Sequence, residues 1–257
     1  MLQAAKSVPD VRNQVSPEEW QTRVDLAAAY RLTALFGWDD LVFSHISARV
    51  PGTHDFLINP YGMLFEEITA SSLVKIDLDG RKLAPSPYDI NPAGFTIHSA
   101  VHAGREDVAC VMHTHSLNGV AVSTQKSGLR PLSQQALFVL SSLGYHDYEG
   151  VAVNPDEKPR LVANLGDKSV LMLRNHGLLT VGRTIADAFV AMYFAEAACA
   201  IQVRAQAGGH DLIDVPQPVL DGIVAQTRIS TRGTGMDKLA WPGLLRRLDR
   251  CNPGYAD

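Results

Sequence analysis

Two histidines separated by one residue, His113 and His115, end the apolar run DVACVMHTH (107–115), which is typical of a buried strand. Because alternate residues of a strand face the same side, both imidazoles are expected to project together. A third histidine, His176, lies near the end of a second such run, KSVLMLRNHG (168–177). Three imidazoles at strand ends could hold one divalent cation and leave positions open to water or substrate. Periodicity alone does not bring His176 to the pair, so unrelated histidines bonded to the backbone are the alternative.

Other histidines carry weaker signals. His98 and His102 have the i,i+4 spacing of one helix face, but no HExxH carboxylate lies between them, which favours helix packing. His45 sits on a short strand between apolar neighbours, and a core position and a site position remain equally open for it. The cluster Tyr145-His146-Asp147-Tyr148 could line a pocket or form a solvated loop.

Composition excludes several classes of function. The chain has 257 residues, of which 23 are Lys or Arg and 27 are Asp or Glu, so no general attraction for nucleic acid or anionic membranes is expected. No uninterrupted apolar run reaches the about 18 residues that span a bilayer, and the amino end has no apolar signal core. Three scattered cysteines exclude a disulfide framework and are typical of a reducing cytoplasm. Neither GxGxxG before a helix nor GxxxxGK[ST] is present.

The elements that must position the histidines can be predicted from periodicity. Ser16-Pro17-Glu18-Glu19 predicts a helix start with a capping box, and Gly37 should end that helix. Short strands are expected in 41–50, 55–60 and 73–80, a helix in 93–103, and a long Ala-rich helix from Ile185 to Ala207. We expect a flexible N-terminal arm (1–15), one α/β domain (16–209) and a C-terminal extension (210–257). Four prolines in the extension predict an irregular tail with one short helix near LLRRLDR.

Three long motifs are similar to the class II aldolase/adducin family. They are AGFTIHSAVHAGREDVACVMHTHS (93–116), LMLRNHGLLTVGRTIADAF (171–189) and FLINPYGMLFEEITASSLVKIDLDG (56–80), and the similarity spans roughly residues 17–207. The resemblance implies a three-layer α/β/α fold with a largely antiparallel central sheet, assembled as homotetramers with sites at subunit interfaces. It also places His113, His115 and His176 on the zinc ligands of the aldolases.

This sequence has the metal-binding histidines of the aldolases but lacks their catalytic and phosphate-binding residues. Sugar-phosphate aldolases have a Ser-Ser-Glu segment whose glutamate moves the proton beside the metal, and Pro92-Ala93-Gly94 stands there in this sequence. The Gly-Asn pair of the aldolase phosphate loop falls on Ser44-His45. Standard cleavage of a phosphorylated sugar is therefore not expected.

These departures resemble the adducin branch, which shares AGF…HSA, NPYG and the HDY cluster. Adducins join spectrin to actin through a long tail with a lysine-rich terminus. This sequence carries no such basic block before Asp257, so actin binding is not expected. The sequence is thus similar to a stand-alone, bacterial-type adducin-like head that keeps the metal histidines.

The favoured hypothesis is a metal-dependent lyase acting by C–C cleavage or decarboxylation on a small, unphosphorylated carbonyl or hydroxy-carbonyl compound. Zn²⁺ is the expected ion, with Fe²⁺ or Mn²⁺ as alternatives, and Tyr148 or His45 would supply the proton donor. Two other hypotheses stay open: a non-catalytic adducin-like scaffold, and a non-heme iron oxygenase. A cytoplasmic homotetramer without nucleic-acid or membrane partners is expected in each case.

Overall fold

Residues 8–257 are described by a computed structural model, in which helices pack on both faces of a seven-stranded sheet. The strands are β1 (His45–Arg49), β2 (Phe56–Ile58), β3 (Val74–Ile76), β4 (Cys110–Thr114), β5 (Leu143–His146), β6 (Val170–Leu173) and β7 (Gly177–Gly182). The helices are α1 (Pro17–Leu35), α2 (Pro92–Gly104), α3 (Leu117–Ser123), α4 (Gln134–Leu140), α5 (Lys158–Leu165), α6 (Ile185–Ala207), α7 (Gln217–Ser230) and α8 (Met236–Cys251). Of the predicted N-terminal arm, residues 1–7 lie outside the described residues, and Arg12–Gln14 form a 3₁₀ turn.

The sheet has the strand order β3-β2-β1-β4-β7-β6-β5. Only the pairing of β5 with β6 is parallel; the other five pairings are antiparallel. The predicted largely antiparallel α/β/α architecture is therefore confirmed. Its central strand is β4, which leads into the His-x-His motif and lies between β1 and β7.

The first helix begins and ends where the sequence predicts. Ser16 Oγ accepts a hydrogen bond of 3.1 Å from the backbone N–H of Glu19, which satisfies one of the free donors of the first turn. After Leu35 the chain turns through Gly37, whose φ of 70° suits glycine.

Alternation along β4 decides which layer each side chain enters. Cys110 and Met112 belong to a core cluster with α1 and α6, whereas Val111 belongs to the second cluster, with α2 and α5. His113 has the same parity as Val111 and therefore faces the α2 layer. The register of β1 sets His45 directly opposite His113, so both imidazoles lie on that face.

Within the described chain, α6 alone is long and apolar enough to cross a membrane by length and composition. Its most apolar window is 56% buried inside the protein, and the helix packs against α1, α3, α4, β4 and β7. Core helices of globular proteins pass the same test, and these contacts identify α6 as one.

The prediction of an irregular C-terminal tail is wrong, because the tail contains the two helices α7 and α8; the helix predicted near LLRRLDR is present as part of the longer α8. Pro216 and Pro218 lie at the start of α7, where the missing N–H costs no hydrogen bond, and Pro253 lies beyond the end of α8. Only Pro242 interrupts a helix interior. Most of these prolines thus delimit helices rather than prevent them.

Candidate metal centre

The three predicted ligand histidines meet where β4 ends and β7 begins. His113 lies on β4, His115 follows it directly, and His176 precedes β7. Because β4 and β7 pair antiparallel, with Thr114 opposite Leu178, the end of one strand and the start of the other are neighbours. The structure therefore brings His176 to the pair through β7.

The expectation that 168–177 forms one strand ending at His176 is wrong. β6 stops at Leu173, and a turn through Asn175 leads into β7. Asn175 has a φ of 57°, a left-handed conformation that asparagine adopts more readily than most residues. His176 is thus carried by a tight turn rather than by strand alternation.

The facing nitrogen atoms of the three rings lie in contact. His115 Nε2 is 2.9 Å from His113 Nε2 and 3.0 Å from His176 Nε2. The possible ligand atoms of the three residues all lie within 4.8 Å of one another. The arrangement can offer three nitrogen ligands to one ion.

The opposite nitrogens of two of these rings are held by acceptors. His113 Nδ1 donates to the carbonyl oxygen of Leu178 at 2.9 Å, and His115 Nδ1 donates to Asp40 Oδ2 at 2.9 Å. With the proton on Nδ1, each neutral ring presents an unprotonated Nε2 to the other. Carbonyl and carboxylate acceptors of this kind commonly fix the tautomer of metal-ligating histidines.

Burial disfavours the protonated forms of His113 and His176. It lowers the pKa of His113 well below its usual value, and the neighbouring rings of His176, His115 and His45 lower that pKa further. Burial, followed by the effects of His115 and His146, lowers the pKa of His176 to about 4. At neutral pH both rings are therefore neutral, the form that binds metals.

A cavity of about 350 Å³ opens onto the three rings. It is bounded by β1, α2 and the segment after β5, and its lining residues are Phe43, His45, Tyr61, Asn91, Ala93, Gly94, Ile97, His113, His115, Tyr148, Gly150, Val151, Ala152 and His176. No lysine, arginine, aspartate or glutamate is among these described lining residues. The cavity therefore presents hydroxyl, amide and imidazole groups on otherwise apolar walls.

The two predicted proton donors both line this cavity but differ in setting. Tyr148 is 53% exposed, and its ring centroid lies 6.1 Å from that of His176. His45 is only 3% exposed, and neither of its ring nitrogens has a hydrogen-bond partner within the described chain. Burial, followed by the nearby rings of His115 and His176, lowers the pKa of His45 to about 3.

The remaining histidines of interest are held by structural contacts. Ser47 Oγ lies 2.6 Å from His98 Nδ1 and 2.8 Å from His102 Nε2, which confirms the predicted packing role of this helical pair. His146 is buried between Asn164 and Glu157, and Tyr145 packs against Arg174. Of the predicted polar-aromatic cluster, Tyr148 alone lines the cavity.

Two carboxylates near the site were not predicted from the sequence. Asp40 lies on the loop after α1, and the next residue, Leu41, has a φ of 50°. Glu196 on α6 accepts hydrogen bonds from Ser116 and, at 3.2 Å, from Thr114, the residues on either side of His115. Burial raises the pKa of Glu196 to about 7, although both hydrogen bonds oppose the shift. The only signal for Asp40 was an acidic pair in a loop, which is too common to identify a role.

Comparison with known proteins places these features in a wider group. The family model described as "Class II Aldolase and Adducin N-terminal domain" matches residues 24–203. A provisionally assigned aldolase class 2 protein from Pseudomonas aeruginosa is 62% identical over an alignment of 258 positions that covers 99% of this chain and 99% of its own. Alpha-adducin from Mus musculus is 48% identical over 202 residues, 76% of this chain and 27% of its own length. The structure of L-fuculose 1-phosphate aldolase from Glaciozyma antarctica PI12, 26% identical, superposes with a TM-score of 0.80 over 91% of this chain and 92% of its own.

Proposed function

This chain belongs to the class II aldolase and adducin family, and on that premise we propose that it is a metal-dependent lyase. Its substrate would be a small, unphosphorylated carbonyl or hydroxy-carbonyl compound, and its reaction C–C cleavage or decarboxylation. The observation that carries the proposal is the set of three Nε2 atoms, 2.9 and 3.0 Å apart, at the base of the cavity.

The chemistry of the donor set supports a cation at this position. In their neutral forms, with the protons on Nδ1, His113 and His115 turn the lone pairs of their Nε2 atoms toward one another across 2.9 Å. Two facing lone pairs repel each other unless a positive charge lies between them. A proton is disfavoured by the burial that lowers the pKa of His113, whereas a divalent ion takes the neutral rings as ligands.

A divalent ion held by His113, His115 and His176 would act as a Lewis acid that polarises the substrate carbonyl and stabilises the enolate. Side chains of the protein would supply proton transfer and the exclusion of water. Tyr148 and His45 are the proposed proton-transfer groups, since both line the cavity and Gly94, which stands where the aldolases have glutamate, has no side chain. Ile97, Ala93 and Ala152 supply apolar walls that exclude water from the reacting atoms.

The cavity lining supports an unphosphorylated substrate. A phosphate group carries up to two negative charges, and sites that bind it usually supply arginine, lysine or several backbone N–H donors. The described lining residues include no cationic side chain. One carboxylate or enediolate could be neutralised by the ion alone.

We propose a homotetramer, because the cavity rim is apolar and exposed, and a cytoplasmic location, which the three scattered cysteines favour. Phe43 is 45% exposed and Val151 is 69% exposed, and a neighbouring subunit could cover both. Light scattering at micromolar concentration checks this proposal, and a monomeric mass would contradict it.

Elemental analysis combined with an activity screen tests the proposed function. The purified protein should hold about one equivalent of Zn²⁺, or of Fe²⁺ or Mn²⁺, per chain. It should also turn over a member of a panel of unphosphorylated 2-oxo acids, 2-hydroxy acids and hydroxyketones, followed by NMR, and chelation should stop the turnover.

The similarity to alpha-adducin supports a second candidate, a non-catalytic scaffold in which the ion stiffens the strand ends. X-ray absorption at the metal edge separates the two candidates. A coordination sphere closed by protein would favour the scaffold, whereas bound water or added ligand would favour the lyase. Consumption of O₂ by the Fe²⁺ form would instead indicate an oxygenase.

A further inference from the structure

The imidazole ring of His45 fills the space beside Gly94, between β1 and α2. A Cβ atom built on Gly94 would lie 2.6 Å from Cγ and Cδ2 of the His45 ring, a separation that real Cβ atoms essentially never show. The imidazole at position 45 therefore occupies space that a side chain at position 94 would need. Any residue larger than glycine at 94 must displace the ring.

The His45 ring is fixed in place but has no polar partner. On one side it meets His98 edge-on, with ring centroids 5.9 Å apart and an interplanar angle of 78°. Ser47 pairs with His98 and His102, yet within the described chain nothing pairs with either ring nitrogen of His45. Buried polar atoms without partners destabilise a fold, so a water, ion or ligand that pairs with the His45 nitrogens would remove this cost.

The ring also shares a cavity with the three candidate ligands. His45 lies opposite His113 in the sheet and lines the same 350 Å³ space as His115 and His176. A small molecule bound at the three-histidine site would therefore lie within a few atoms of the His45 ring. A neutral imidazole offers one donor and one acceptor, so it can pair with a hydroxyl or with a carbonyl or carboxylate oxygen.

We propose that His45 hydrogen-bonds an oxygen atom of a metal-chelating ligand, in place of a side chain from position 94. The ligand class is a small molecule with two adjacent oxygen atoms, such as a 2-hydroxycarbonyl compound or a 2-oxo acid, with one oxygen directed to the ion and another to the imidazole. This inference rests on the proposed function, since it takes the three histidines as the metal centre.

Calorimetric titration of the Zn²⁺-loaded protein with acetohydroxamate tests the contact without needing a substrate. Acetohydroxamate is a small chelator with two adjacent oxygens. His45→Leu removes both ring nitrogens but keeps an apolar side chain, and His45→Gln keeps a donor and an acceptor. Loss of one hydrogen bond should raise the Kd for acetohydroxamate about tenfold in His45→Leu. His45→Gln should stay within about threefold of the parent protein, and both variants should retain full zinc.

The possible outcomes separate this inference from the proposed function. If His45→Leu holds full zinc and binds acetohydroxamate as tightly as the parent protein, the His45 contact is wrong while the metal centre stands. If His45→Gln weakens binding as much as His45→Leu, the effect comes from packing and the proposed hydrogen bond is also wrong. If the parent protein binds no zinc, the proposed function fails first, and this inference fails with it.

Discussion

Asp40 Oδ2 lies 2.9 Å from Nδ1 of His115, although 75 residues separate the two in the chain. The carboxylate is 47% exposed and the imidazole 21% exposed, so solvent screens the charge of the carboxylate and the contact acts mainly by orienting the imidazole. It fixes the proton on Nδ1 and aims Nε2 at His113 and His176. A loop residue thereby orients a candidate ligand that directly follows the central strand β4.

Replacing Asp40 should weaken metal binding without removing a ligand. In Asp40→Ala, His115 loses its orienting acceptor, and the Kd for Zn²⁺ should rise about 10- to 100-fold, as is typical when such a partner is removed. Asp40→Asn is the matched control, since its side-chain oxygen can still accept from Nδ1 and its affinity should fall between the two. Competition with a chromophoric chelator measures all three values. Equal affinities for Asp40→Ala and the parent protein would show that the contact does not position His115.

Removing a candidate ligand should have a larger effect. His115→Ala should abolish stoichiometric metal and leave a folded protein, because the ring is at the edge of the core and not within it. His210→Ala, which alters an exposed histidine on the loop after α6, is the control and should keep a full equivalent. Elemental analysis and circular dichroism of both variants give the comparison. A full equivalent of metal in His115→Ala would show that the assignment is wrong.

The sequence predicts those parts of the site that depend on local periodicity. Strand alternation predicts that His113 and His115 share a face; β4 ends at Thr114, one residue before His115, and the two Nε2 atoms lie 2.9 Å apart. His176 could not be placed in this way, because its position depends on the pairing of β7 with β4, and family resemblance supplied the link. Asp40 contacts His115 because of the conformation of the loop after α1, which the periodicity of the sequence does not predict.

The fit of His45 against Gly94 shows the same limit. A glycine on a helix face indicates that a side chain is missing, but not which distant residue fills the space. Only the packing of α2 on β1 puts the ring there.

Acid should destabilise the metal-free protein through its buried histidines. Burial lowers the pKa of His45 and of His102 to about 3 and that of His98 well below 6.5. Above the usual histidine pKa the rings are neutral in both folded and unfolded chains, and their full stabilisation is present. As the pH falls below about 6.5, these histidines become protonated in the unfolded chain but stay neutral in the folded chain. The free energy of unfolding therefore decreases by up to about 1.4 kcal/mol per pH unit for each ring.

Glu196 acts in the opposite direction over part of the same range. Burial raises the pKa of Glu196 to about 7, above its value of 4.5 in the unfolded chain. The stabilisation that this shift contributes is complete below pH 4.5 and is lost as the pH rises through 7. One carboxyl group opposes these three imidazoles and those of His113 and His176, whose pKa values are also lowered, so the net stability should fall between pH 6.5 and 5. Urea unfolding at pH 7.5, 6.5 and 5.5 checks the slope, and Glu196→Gln should make it steeper. A stability that is constant or rises on acidification would contradict the neutral buried state of these rings.

The steric competition between positions 45 and 94 predicts coupled effects on stability. Gly94→Ala adds a Cβ atom 2.6 Å from the His45 ring, and overpacking of this kind typically costs about 1–3 kcal/mol. In a His45→Ala background the same change meets open space and should cost less, even though His45→Ala is itself destabilising. Denaturant unfolding of the parent, both single variants and the double variant gives the coupling energy. Additive effects would show that the two positions do not compete.

The last prediction concerns the reaction itself. A sugar-phosphate aldolase needs a base beside the metal and donors for the phosphate group, and a positioned general base typically contributes about 10²–10⁴-fold in rate. Here the position of the aldolase glutamate is Gly94, whose missing side chain is replaced in space by the His45 ring. The cavity also has no cationic side chain among its described lining residues. We therefore expect negligible cleavage of fuculose-, rhamnulose- and ribulose-phosphate substrates by the zinc-loaded protein, measured by a coupled enzymatic assay of the phosphorylated cleavage product.

Gly94→Glu should not restore cleavage, since the carboxylate cannot enter without displacing His45. Gly94→Glu combined with His45→Gly relieves the clash, and this double variant is the one in which some activity should return. Efficient cleavage by the parent protein, dependent on metal and lost in His113→Ala, would contradict the proposal of an unphosphorylated substrate and would show that another residue replaces the glutamate.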